Sequence, residues 1–176
     1  HFTPDYIPHG IPFLSVKDIS QGFIDFSNCR YISEEEHKQL TQRCNPEFND
    51  VLLTKVGTTG IAKVVDTRRE FSIFVSVALI KMFPNYLFPK YLEYCINSPF
   101  VKKQSSDGTW GVGNKNLVLK TIKIFSIPLP PLAEQKAIVE KVDKLMNIID
   151  QLEQQIKHRK QLAENLMQTV LREDFE

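Results

Sequence analysis

The sequence predicts an α+β chain: a mixed α/β globular domain at 1–127, a proline-rich junction at 128–131, and one long coiled-coil-forming α-helix at 132–176. Three observations predict it. In the first part, short runs rich in β-branched and aromatic residues alternate with helix signals. After Pro131 there is no Gly and no Pro. From there on, apolar residues recur in steps of four and three, the spacing of a coiled-coil seam.

Taken in order, IPFLSVKDI (Ile11–Ile19) reads as a strand. SEEEHKQL (Ser33–Leu40) reads as a short helix, with Ser33 as N-cap and an acidic first turn. VLLTKVG (Val51–Gly57), IAKVVD (Ile61–Asp66) and FSIFVSVALIKM (Phe71–Met82) read as three strands. GTTG (Gly57–Gly60) is a tight connection between the first two, and Arg68 and Arg69 fall in the hairpin connection before the third. PKYLEYCINSPFVKKQ (Pro89–Gln104) opens on Pro at a helix start, with a break or kink at Ser98–Pro99. SSDGTWGVGNKN (Ser105–Asn116) is a Gly-rich loop, whose Trp110 is expected to pack rather than to bind.

The seam runs through Ile138, Val142, Leu145, Ile149 and Leu152, then Ile156, Ala163, Leu166 and Val170. Arg159 takes the one position that is not apolar; a single polar residue there can fix register at a cost in stability. At about 1.5 Å per residue the helix is roughly 60 Å long. A compact domain of this size has a radius of gyration of only about 15 Å. Much of the seam is therefore expected to meet another helix of the same kind. Pro128 and Pro130 stiffen the approach to it, and Pro131 suits a first turn that needs no N–H.

Composition excludes several classes. With 42% hydrophobic and 24% charged residues the chain can bury a core. No apolar run approaches the roughly 18 residues of a membrane helix. Cys29, Cys44 and Cys95 are widely spaced and odd in number, which argues against a disulfide framework or zinc site and for a reducing, cytoplasmic setting. His9, His37 and His158 have no ligand constellation around them. Residues 1–127 hold fifteen Lys/Arg against twelve Asp/Glu, and residues 128–176 hold seven against nine. Within the first part, Lys55–Arg69 and Lys102–Lys123 are locally basic and would suit a polyanion.

The junction IPLPPLAEQKAIVEKVDKL (Ile127–Leu145) resembles that of the specificity subunits of type I restriction–modification enzymes. Upstream, IPFLSVKDI with Gly22 and Asp25, YIS (Tyr31–Ser33), DVLLTKVGTTG (Asp50–Gly60) and the GTWG loop leading to NKNLVLKTIKIFSIPLPP follow that family's order. The resemblance implies that 1–127 is a target-recognition domain reading one half of a bipartite sequence in double-stranded DNA. It implies that 132–176 is a dimerisation and spacer helix, and that methylase subunits dock on the assembly, which a motor–nuclease subunit can join. The chain itself would be non-catalytic, with S-adenosylmethionine, ATP and Mg belonging to the partners. The family's usual chain carries two domains and two helices; this one carries one of each. It is either half of a longer subunit or a half-subunit that forms a homodimer and reads a symmetric interrupted palindrome.

Contact candidates follow from residue chemistry. Thr54, Lys55, Thr58, Thr59 and Lys63 offer hydroxyls and ammonium groups to phosphates or base edges. Arg68 and Arg69 have the fork that reads guanine. Lys102, Lys103, Asn114, Lys115 and Asn116 flank or end the Gly-rich loop, and Lys17 follows the first strand. Solvation alone is the competing account of each. Enzyme signals are weak. NPEF (Asn45–Phe48) is similar to the Asn-Pro-Pro-aromatic motif of amino-methyltransferases, but Glu47 replaces the second Pro and no Gly-rich cofactor loop precedes it, so a turn is expected. KVGTTGIAK (Lys55–Lys63) lacks the ending of a phosphate-binding P-loop. A coiled-coil scaffold that binds protein rather than DNA is the rival from another class.

Overall fold

The computed structural model describes residues 4–110 and 115–174, with side chains for 4–108 and 115–171. The elements are β1 (Ile11–Leu14), β2 (Arg30–Ile32), α1 (Glu34–Thr41), β3 (Val51–Thr54), β4 (Ala62–Val64), β5 (Ser72–Ile73) and β6 (Val77–Ile80). Then come α2 (Pro89–Asn97), α3 (Pro99–Asp107), β7 (Thr109–Trp110), β8 (Asn116–Leu117), α4 (Leu119–Ile122) and α5 (Leu132–Asp174). They form two compact units, residues up to Lys136 and residues from Ala137 onward. The division falls inside α5.

The first unit holds two three-stranded sheets and a two-stranded ribbon. One sheet has the order β2-β1-β5, with β1 antiparallel to β2 and parallel to β5. The other has the order β4-β3-β6 and is antiparallel throughout. β3 is its centre, and all four residues are buried. Val51 and Leu53 join Leu92, Ile96, Val101 and Leu117 in one core cluster. Leu52, on the opposite face, joins Leu14, Val65 and Phe71 in another. An unbroken apolar run is what a strand covered on both faces requires.

Several predicted elements are found and several are shorter. Ser33 caps α1, its hydroxyl accepting the Glu36 N–H at 3.2 Å while the Glu36 carboxylate accepts the Ser33 N–H at 3.3 Å. The helix signal at Pro89 resolves into α2 and α3, because Ser98 ends one and caps the other just before Pro99. The strand expected over Ile11–Ile19 stops at Leu14. There the Ser15 N–H and hydroxyl both donate to Asp18, at 2.7 and 2.8 Å, and wind the chain into a 3-10 turn at Val16–Asp18.

The single strand expected over Phe71–Met82 is two strands in two sheets. Ser76 lies between them. Its carbonyl accepts the N–H groups of Lys55 and Val56, and its hydroxyl accepts that of Val16 at 3.1 Å. A polar residue within an apolar run thus marks a crossing between sheets. Arg68 and Arg69 consequently lie in a link between sheets, not in a hairpin. The expected loop Ser105–Asn116 begins as the last turn of α3, and its ends pair as β7 and β8. Trp110's side chain lies outside the described residues. α4 has no counterpart among the expected elements.

α2 closes the free edge of β4. The Ala62 N–H donates to Asn97 Oδ1 at 3.0 Å, and Asn97 Nδ2 donates back to the Ala62 carbonyl at 2.9 Å. The Val64 N–H donates to Glu93 Oε2 at 2.7 Å. Side chains thereby take the place of a fourth strand. Asn97→Ala leaves one donor and one acceptor without these partners and is expected to cost about 2 kcal/mol, read as a lower urea midpoint with an unchanged m-value.

The second unit consists of helix α5 from Ala137 on. Leu145, Ile149, Leu152, Ile156, Leu166 and Val170 are 45–67% exposed there, and Arg159 is exposed without an ion-pair partner among the described residues. Ile138 and Ala163 are also exposed, and Val142 is half-buried. The spacing sets all ten on one seam.

Candidate nucleic-acid interface

The β3–β4 connection carries most of the predicted contact residues. Gly57 and Gly60 have φ of +77° and +81°, which glycine adopts freely and other residues adopt at a cost. A Cβ on Gly60 would also meet Ser105 Oγ of α3 at 2.8 Å. The loop is thus seated against α3. On its other side the Gly57 N–H donates to the Lys115 carbonyl at 2.9 Å, and the Leu117 N–H donates to the Lys55 carbonyl at 2.7 Å. Val56 and Asn116 form a bridge.

These bonds gather residues far apart in sequence at one end of the β3–β4 hairpin. Thr58, Lys115 and Asn116 are exposed there, with Lys55 and Thr59 half-buried. Lys102 and Lys103 are exposed on α3. Lys17, in the 3-10 turn whose first N–H meets Ser76, is exposed, and its Nζ donates to the Asn28 carbonyl at 3.4 Å. Among the described residues none of these five lysines is in an ion pair, whereas Lys63, Lys81, Lys90 and Lys160 are.

Two expected contacts are corrected. Thr54 is fully enclosed, and its hydroxyl accepts the Ile61 N–H at 2.9 Å. It shapes the loop and has no surface to offer. Lys63 is held 3.8 Å from the buried Glu93, with its side chain only 15% exposed. It balances the carboxylate that closes the β4 edge. Asn114 lies outside the described residues.

Arg68 and Arg69 stand apart from Lys55 and Lys115. They lie near the start of β3, at the opposite end of the hairpin, about 15 Å away at about 3.3 Å per residue. Their neighbours are α1 and the turn Asn45–Phe48, around a groove of about 680 Å³. NPEF is a turn, as expected: the Glu47 N–H donates to Asp50 Oδ2 at 2.8 Å, and Asn49 takes a φ of +73°. Lys81 Nζ donates to Asp50 at 2.8 Å and to the Asn45 carbonyl at 3.1 Å. Burial disfavours the charge on Lys81, but the Asp50 and Glu47 carboxylates outweigh this and hold its pKa above the ordinary value. Burial also pushes the nearby Cys44 thiol up. No metal-holding cluster of His, Cys, Asp or Glu occurs among the described residues.

The family model for the type I restriction modification DNA specificity domain matches residues 4–159. The chain belongs to this family. The EcoBI specificity subunit of Escherichia coli is 31% identical over 173 residues, which cover 97% of this chain and 36% of that protein. The StySPI specificity subunit of Salmonella potsdam is 23% identical over 162 residues, covering 92% of this chain and 35% of that one. The crystal structure of the HsdS subunit from Thermoanaerobacter tengcongensis has a TM-score of 0.69 at 18% identity, covering 94% of this chain and 42% of that chain. At that identity the likeness is one of fold. The chain spans little more than a third of the length of the curated relatives it matches.

In this specificity domain the residue that sequence reasoning missed is Gln135. It sits in the first turn of α5 and is fully enclosed. Its Oε1 accepts the Phe88 N–H, and its Nε2 donates to the Tyr86 and Pro130 carbonyls, all at 2.8 Å. Nearby, the Tyr91 hydroxyl donates to the Pro128 carbonyl at 3.2 Å. Burial, followed by Cys95 and Glu134, pushes its pKa up to about 12, so the donor stays protonated. A glutamine between charged neighbours in a helical first turn carries no sequence mark of burial; only the prolines before it hint at a fitted joint. Gln135→Ala leaves three backbone groups without partners and is expected to cost roughly 3 kcal/mol. Gln135→Glu sets a carboxylate against two carbonyls and is expected to destabilise comparably, with partial recovery at acidic pH. Urea melts of both variants between pH 4.5 and 8 check this.

Proposed function

We propose that this chain is the recognition half of a type I specificity subunit. Its globular unit reads one half of a bipartite double-stranded DNA target. The exposed seam of α5 pairs with a second copy, so that the target is a symmetric interrupted palindrome. Methylase subunits dock on that assembly, and a motor–nuclease subunit can join it. S-adenosylmethionine, ATP and Mg belong to those partners, and the chain catalyses nothing by itself. The setting is cytoplasmic; the three cysteines are free thiols, and no helix among the described residues is long and apolar enough to cross a membrane.

The observation that carries this reading is the gathering of Lys55, Thr58, Thr59, Lys115 and Asn116 at one end of the β3–β4 hairpin, with neither lysine in an ion pair among the described residues, in a chain of this family. Ammonium groups without internal counter-ions are suited to DNA phosphates, and each contact releases counterions. Binding of a random-sequence duplex is therefore expected to fall steeply with salt. Lys55→Ala and Lys115→Ala are each expected to lower the slope of log K against log salt by about one. Anisotropy titrations from 50 to 300 mM salt measure this. Salt-insensitive or absent binding by the chain with its methylase partner would sink the reading and favour the protein-binding scaffold.

A further inference from the structure

Arg68 and Arg69 each lie over an aromatic ring. The guanidinium carbon of Arg68 is 4.9 Å from the centre of the Phe48 ring, and that of Arg69 is 4.8 Å from the centre of Phe26. Both arginines are exposed. Among the described residues neither guanidinium enters an ion pair or a side-chain hydrogen bond, although Asp66 and Glu70 are within three residues of each. A guanidinium resting on a ring face keeps its in-plane N–H edge free. That edge matches the O6 and N7 acceptors of guanine in the major groove.

The ring under Arg68 is itself held. Phe48 is 45% exposed, an aromatic standing in a turn without burial of its own to fix it. The turn is tied by Lys81, which bonds Asn45, Glu47 and Asp50 together. The Asn49 N–H, donated to the Val65 carbonyl at 2.9 Å, binds the same turn to the strand that leads to Arg68. Lys81 itself faces two carboxylates and is not available to DNA.

We propose that Arg68 and Arg69 read guanine edges in the half-site, and that Lys81 is a positioning residue acting through Phe48. This rests on the reading of the chain as a DNA-recognition domain. The two ends of the hairpin then divide the work. Lys55 and Lys115 meet phosphates and fix register, and the arginines about 15 Å away enter a major groove about 12 Å wide.

The test is selection of a randomised duplex library by the protein that carries this chain, assembled with its methylase partner. The wild type is expected to enrich a half-site containing G·C pairs. Arg68→Ala is expected to lower discrimination at one such pair roughly tenfold to hundredfold, with binding to random DNA unchanged. Phe48→Leu and Lys81→Met should relax that same pair, and Lys81→Arg should restore it, which a general loss of stability would not do. Replacing that guanine by 7-deazaguanine should reproduce the Arg68→Ala loss with unaltered protein. An enriched motif indifferent to Arg68 and Arg69, or a uniform loss for all sequences as from phosphate contact, overturns this proposal alone. No enriched motif at all overturns the recognition reading and this proposal with it.

Discussion

Gln135 is the point on which the two textures of this chain meet. Its amide satisfies the Phe88 N–H, at the cap of α2, and the carbonyls of Tyr86 and Pro130. All three are backbone groups, and all lie in the globular unit. The side chain makes these three bonds from the first turn of α5. With it, the first turn of a helix of 43 residues becomes part of the domain's interior. An enclosed polar group with every bond made specifies one arrangement more sharply than an apolar contact, because a shifted register leaves donors and acceptors without partners.

The globular unit uses the same device elsewhere. Ser76 ties three backbone N–H groups at the crossing between sheets, and Asn97 and Glu93 close the β4 edge. Both leave the turn regions around the β3–β4 hairpin rooted in rigid elements. Lysine-bearing loops stand at one end and ring-supported arginines at the other. Loops on a stiff scaffold are where recognition residues belong, since they can vary without loss of the core.

What the sequence made legible was whatever depends on near neighbours. The cap at Ser33, the start of α2 at Pro89, the GTTG turn and the long run of α5 are all written in residues within a few positions of one another. The core strand β3 was legible because Val51, Leu52 and Leu53 form an unbroken apolar run. Lost to sequence was what depends on residues distant along the chain. Thr54 and Lys63 have the chemistry of DNA contacts, but Ile61 and Glu93 absorb them. The break at Ser76 needs Val16 and Lys55 to be visible, and Gln135 needs Tyr86 and Phe88. The supports under Arg68 and Arg69 come from Phe48 and Phe26, some 20 and 43 residues away.

The apolar seam of the second unit is the other half of the account. Six of its large side chains stand 45–67% exposed, and burying them against a like helix would remove several hundred Å² of apolar surface from water, at about 25 cal/mol per Å². The most direct test is the solution mass of the chain by light scattering, with and without the double change Leu145→Glu, Leu152→Glu. The account predicts twice the chain mass of 20.3 kDa for the wild type and the single mass for the variant. A wild type that stays at the single mass, or a dimer that survives both substitutions, would contradict pairing through α5.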